Sequence, residues 1–184
     1  MSMLERGILV AACMLSSFAQ AQTYNLGRTP TAREIAGWNI DVTTDGVGLP
    51  PGSGTVKQGD EIFVSQCSGC HGAKGEGGVA DRLAGGIGSL KSDKALKTVG
   101  SFWPYATTLY DYIHRAMPYT SPQSLTPNEV YAVTAYILHL NGIVSADAIL
   151  DATSLPKVRM PNRDGFRPDP RPDTSNTACL TDCD

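Results

Sequence analysis

The pentapeptide Cys67-Ser68-Gly69-Cys70-His71 has the C-x-x-C-H form by which c-type haem is attached to a polypeptide. Two cysteines three residues apart on one helical turn reach the two vinyl groups along one porphyrin edge, and the adjacent histidine then projects beneath the metal. Two other chemistries use C-x-x-C. A thioredoxin-like dithiol belongs in a βαβ pattern, which the surrounding residues do not form, and a zinc site needs a second ligand pair at matching spacing. The other close pair, Cys179 and Cys183, stands at the far C-terminus. The motif therefore predicts one covalently attached haem c, joined through Cys67 and Cys70, with His71 on the iron.

Upstream, Met1 to Ala21 reads as an export signal: Arg6 in a short charged region, an apolar run from Gly7 to Phe18, and Ala19-Gln20-Ala21 for cleavage. The run is too short to span a membrane, and cleavage after Ala21 removes Cys13. Export supports haem attachment, because bacterial c-type haem is attached outside the cytoplasm, and it predicts a periplasmic protein. With 15 Lys+Arg against 18 Asp+Glu, the net charge of −3 excludes a nucleic-acid binder or an electrostatic membrane anchor.

Residues 22–54 form an N-terminal arm with Pro, Gly and Thr clusters. Thr31-Ala32-Arg33-Glu34 has capping-box form and predicts a short helix ending near Trp38. The arm's apolar residues, among them Ile35, Trp38 and Ile40, predict that it packs on the main domain. That domain spans 55–142. Thr55-Val56-Lys57-Gln58 opens a helix that runs into the haem motif, and Gly59 within it predicts close approach of a second helix. Gly72 to Gly78 is a glycine-rich loop without the preceding strand or Gly-Lys-Ser/Thr of a phosphate cradle, so it reads as a passage beside the porphyrin edge. A helix from about Thr107 ends at Met117, before Pro118. Thr126-Pro127-Asn128-Glu129 starts the last helix, with Val130, Val133, Tyr136, Ile137 and Leu140 apolar and Asn141-Gly142 as its stop. Residues 143–184 read as an irregular tail rich in Pro, Arg and Asp.

The group opposite His71 decides between electron carrier and enzyme. Met117 stands at a helix end before proline, where a side chain is presented without helical constraint, and is the first candidate. His114, one turn earlier, and Met160, in the tail, are the alternatives, and an open position is a third. Thioether ligation fills the coordination sphere, raises the reduction potential and confines the chemistry to outer-sphere transfer of one electron.

This order of elements resembles the class I c-type cytochromes: N-terminal helix, C-x-x-C-H, glycine-rich loop, helix to Met-Pro, C-terminal helix. The resemblance implies an all-α class I cytochrome c fold with Cys67, Cys70, His71 and Met117 around the haem, and Gly59 and Phe63 meeting Tyr136. One departure is plain. Many members carry a proline after the motif, and its neighbouring carbonyl takes the imidazole proton. This chain has no proline between His71 and Phe102, so that partner is unassigned.

A closer similarity covers nearly the whole chain after Ala21. Glu34 to Asp41, Gly48 to Gly54, Val99 to Ala106 and Met160 to Phe166 resemble cytochromes that serve bacterial sulfur-compound dehydrogenases. The resemblance implies a periplasmic sulfite dehydrogenase, a molybdenum enzyme, as electron donor and a downstream cytochrome or oxidase as acceptor. A fixed cytochrome subunit of a thiosulfate-oxidising sulfane dehydrogenase complex is the alternative. Trp103, Tyr105 and Arg82 are candidate donors to haem propionates, which need partners when partly buried. Lys74, Lys91, Lys94 and Lys97 either ring a docking surface or form a solvated face. Cys179 and Cys183 suit a disulfide in an oxidising compartment.

Overall fold

A computed structural model describes residues 26–171. The expected export signal over Met1–Ala21 and the Cys179/Cys183 pair lie outside the described residues. The chain divides at Asn39/Ile40 into two compact units, so the 22–54 arm does not act as one piece. In the first unit, α1 (Ala32–Trp38) starts at Thr31 with the expected capping box. Arg28 pairs with Glu34, and this partner, with the Thr31 bonds, holds the Glu34 carboxyl down at about 2.

The second unit is built around one helix. Thr126 caps α6 (Pro127–Leu140), accepting from the Glu129 amide while Glu129 accepts from the Thr126 amide. Every residue from Val130 to Leu138 is buried, so the helix is enclosed on all sides and not amphipathic as its apolar spacing suggested. Its companions are β1 (Ser53–Thr55), α2 (Val56–Gln66), α3 (Ser68–His71), α4 (Val99–Phe102), α5 (Ala106–Ala116) and β2 (Ile149–Asp151). All of these except α3 pack directly on α6.

The closest approach is backbone against backbone. A Cβ on Gly59 of α2 would fall 1.9 Å from the Ala132 carbonyl oxygen, and one on Gly54 of β1 would fall 2.1 Å from the Ala132 amide nitrogen. Ala132 is thus pressed between two glycines, and Phe63 meets Tyr136 one turn further on, ring centroids 5.2 Å apart. This is the reason for a glycine in mid-helix, where it otherwise costs about 1 kcal/mol relative to alanine.

The segment 40–55 is laced to the bundle by its main chain. The Val42 amide donates to Asp111 at 3.1 Å, Thr107 Oγ1 to the Thr44 carbonyl at 3.1 Å, Tyr131 OH to the Pro50 carbonyl at 2.9 Å, and the Ser53 amide to Asn128 at 2.9 Å. Arg115 closes the lacing by bridging Asp41 and Asp111.

The reading of 143–184 as an irregular tail needs correction over its first part. Ile149–Asp151 pairs antiparallel with Ser53–Thr55, placing Leu150 opposite Gly54. Leu155–Lys157 forms a 3-10 turn, and Leu150, Leu155 and Met160 are buried. The fold remains all-α, with one short two-stranded ribbon added. A three-residue strand is too brief to show alternation in sequence.

Gly59→Ala is expected to lose about 2–3 kcal/mol in denaturant unfolding, the cost of overpacking a closed interface. Gly37→Ala, where an added Cβ meets nothing within 4 Å, is expected to leave the main transition unchanged.

Candidate functional site

The C-x-x-C-H residues are placed by the junction of two helical turns. The Cys67 amide ends α2 by bonding Phe63 O at 2.9 Å, and Cys67 then caps α3, its carbonyl accepting from Cys70 at 3.1 Å and His71 at 3.0 Å. That turn presents Cys67, Cys70 and His71 together in a cleft of about 620 Å³. Neither Cys67 nor Cys70 forms a disulfide, and burial pushes an unmodified Cys67 thiol up to about 11.

His71 Nδ1 lies 2.7 Å from the carbonyl oxygen of Asp81. A carbonyl can only accept, so Nδ1 carries a proton, and Nε2 is the nitrogen left to face a metal. The partner unassigned in the sequence is therefore Asp81, through its main chain. The glycine-rich loop brings it there: Gly77 donates to His71 O at 2.7 Å and Ala80 to Cys70 O at 3.0 Å, folding the loop back onto the motif.

Met117 lines the same cleft. It follows the last turn of α5 in extended geometry (φ −121°, ψ 147°), and its amide still bonds Ile113 O. Phe63, Leu109, Ile113, Leu125, Val133 and Ile137 form the apolar wall between, and Arg82, Lys97, Trp103, Tyr112 and Tyr119 are further lining residues. The site therefore combines an imidazole, a thioether and two thiols in an apolar cleft of cofactor size, a donor set that fits a c-type haem. A zinc site is not supported: no group of three or more His, Cys, Asp or Glu placed to hold a metal occurs among the described residues.

The other candidate residues separate clearly. His114, His139 and Met160 do not line the cleft. His114 packs on the Tyr110 ring, His139 Nδ1 faces the Val144 carbonyl at 3.1 Å, and Met160 is 1 % exposed within the core. Arg82 and Trp103 line the cleft, but Tyr105, expected beside them, does not. Its ring lies beneath the Arg163 guanidinium, 4.1 Å from the centroid. Of the lysines, Lys97 reaches the cleft and sits over the Phe102 ring at 4.9 Å.

Two stretches singled out separately in the sequence, 99–106 and 160–166, meet in the structure. Asn162 Nδ2 donates to Phe102 O at 2.7 Å, the Phe102 and Phe166 rings stand 5.2 Å apart, and Arg163 covers Tyr105. Trp103 leaves this clamp toward the cleft, edge-on to Tyr112 at 5.7 Å. A second signal went unread in the sequence: the Asn141 side chain, taken only as a helix stop, bonds the cleft loop at Leu83 and Gly85.

Residues 56–141 match the cytochrome c family. Among solved structures, a chain of the sulfane dehydrogenase SoxCD from Paracoccus pantotrophus is 44% identical, with a TM-score of 0.77, over 88% of this chain and 83% of that one. A thiosulfate dehydrogenase from Psychrobacter arcticus is 30% identical over 108 residues, 53% of this chain. The chain spans about a third of that relative's length, 33%. The chain belongs to the cytochrome c family, which carries covalently bound haem c and transfers electrons. Among the described residues no helix is long and apolar enough to cross a membrane.

Trp103→Phe is expected to shift the reduction potential of the haem-loaded protein, whereas Tyr105→Phe, outside the cleft, leaves it unchanged; redox titration followed in the visible spectrum checks both.

Proposed function

We propose that the protein is a monohaem electron-transfer cytochrome c, the redox partner of a sulfur-compound dehydrogenase and not itself the enzyme. The observation that carries this is the single cleft joining Cys67, Cys70 and His71 to Met117, residues that neither element could bring together alone. Cys67 and Cys70 would hold the porphyrin covalently, and His71, through Nε2, and Met117 would be the iron's protein ligands. Bound there, haem c supplies reversible one-electron exchange between ferric and ferrous iron.

The chain's own contribution is to fix and tune. The Asp81 carbonyl locks the His71 tautomer and increases the basicity of the ligating nitrogen. As a ligand, the Met117 thioether would favour the ferrous state and deny the metal to small molecules. The apolar wall excludes water, so little solvent reorganises when the charge changes, and Arg82 and Trp103 at the cleft offer donors for the propionates.

The donor is a molybdenum-containing dehydrogenase in the periplasm, and the electrons pass on to a downstream cytochrome or oxidase. The extent of the likeness to the SoxCD chain favours a sulfane dehydrogenase partner and a cytochrome held as its subunit. The sulfite dehydrogenase reading, a freely diffusing acceptor, is the second.

Met117→Ala is expected to abolish the weak charge-transfer band at the red end of the ferric spectrum and to let added cyanide bind at once. An unchanged spectrum would remove Met117 from the iron. In stopped-flow mixing, haem reduction by a sulfane dehydrogenase catalytic subunit, with copurification at high salt, supports the subunit reading. Reduction only by sulfite dehydrogenase plus sulfite supports the diffusing carrier.

A further inference from the structure

Between His71 and α4 the chain runs for most of its length without regular structure, yet this loop supplies the Asp81 carbonyl and the cleft residues Arg82 and Leu83. Its inner half is self-tied. The Gly75 carbonyl accepts from both Leu83 at 2.8 Å and Ala84 at 3.0 Å, while Gly77 and Ala80 bond back to the motif. A buried amide joins this knot to the end of α6. Asn141, at the end of α6 and 7 % exposed, donates from Nδ2 to Leu83 O at 3.2 Å and to Ile137 O at 2.9 Å, and its Oδ1 accepts from the Gly85 amide at 3.0 Å. Gly85 is also held at its carbonyl by Thr98 Oγ1 at 2.6 Å.

A helix stop needs none of this. The Asn141 main chain already ends α6 through its bond to Leu138 O at 3.2 Å, and a solvated side chain would serve there equally well. Burying a primary amide is favourable only when its donors and acceptor are matched, and here they are matched by the loop. The opposing element makes room for it: a Cβ on Gly100 of α4 would lie 2.2 Å from Asn141 Oδ1. α6, the 83–85 loop and α4 therefore converge on this side chain, which lies outside the cleft lining.

We propose that Asn141 is a positioning residue for the haem: by fixing Leu83 and Gly85 it holds the Asp81 carbonyl on His71 Nδ1 and so sets the donor strength of the ligating imidazole. This rests on the assignment of His71 as an iron ligand. With the clamp gone, Asp81 keeps only the loop's own bonds, Ala80 to Cys70 O and Leu83 to Gly75 O, and its carbonyl is held less firmly. The Nδ1–H bond weakens, the imidazole becomes a poorer donor to ferric iron, and the potential rises.

The test uses the haem-loaded full chain, with Asn141→Ala, Gly100→Ala (which displaces the same amide from the other side) and Leu155→Ala as a control. Leu155 is fully buried and does not line the cleft, so its variant serves as the control for lost stability. Exchange of the His71 Nδ1 proton, read by NMR in the ferrous state, is expected to be faster than wild type in both clamp variants. The potential moves positive in both and stays in place in Leu155→Ala. Amide exchange at Leu83 and Gly85 rises alongside.

Asn141→Ala that is destabilised like Leu155→Ala, with the His71 proton and the potential unmoved, would overturn the proposal. If wild-type His71 is not on the iron, the wild-type spectrum shows it before any variant is made, and the functional reading falls first. Loosened amides at Leu83 and Gly85 without a change at His71 would leave Asn141 a structural clamp and overturn only this inference.

Discussion

Ala132 is the point on which the rest of the structure depends. Gly59 and Gly54 present bare main chain to it from two sides, so helix and strand both approach α6 more closely than any side chain would permit. Phe63 and Tyr136 then lock the crossing. Because α2 is fixed in direction here, the turn that follows it emerges with Cys67, Cys70 and His71 along one wall of the cleft. Because α6 is fixed too, its far end brings Asn141 under the loop on the other side of His71. One backbone contact thus sets both the ligand turn and its support.

The chemistry of the site is a matter of restraint. An imidazole whose Nδ1 proton is committed to Asp81, a thioether just beyond the end of α5 and an apolar wall would leave a bound metal little freedom to change its coordination between oxidation states. Such rigidity favours outer-sphere transfer, where reorganisation sets the barrier. The segments 40–55 and 143–166 extend this restraint outward. The first is laced to α5 and α6 by main-chain bonds, and the second clamps Phe102 and Tyr105 on either side of Trp103.

Where local sequence and structure agree, the signal was itself local. The boxes at Thr31, Thr55 and Thr126 each satisfy orphaned amides with a side chain three residues away, and Pro118 stops α5 by steric exclusion. Gly59 was legible because a glycine in mid-helix demands a partner. Local patterns gave no sign of the ribbon, since Ile149–Asp151 gains its identity only from Gly54 opposite. They ranked Met117 above Met160 only by its place at a helix end. Both precede a proline, and only burial in the core removes the second from the cleft.

By itself the sequence determined the covalent chemistry and the helices that carry it, because C-x-x-C-H, caps and apolar spacing act within a few residues along the chain. The tertiary structure alone decided which groups face one another. It placed Asp81 on His71 in place of a proline-linked carbonyl, turned Tyr105 to Arg163 and away from the cleft, and gave Asn141 its three partners. The bonds of Asn141 to Leu83 and Gly85, and the Tyr105–Arg163 contact, join residues far apart in the chain. Their energies exist only once α2 and α6 have closed on Ala132.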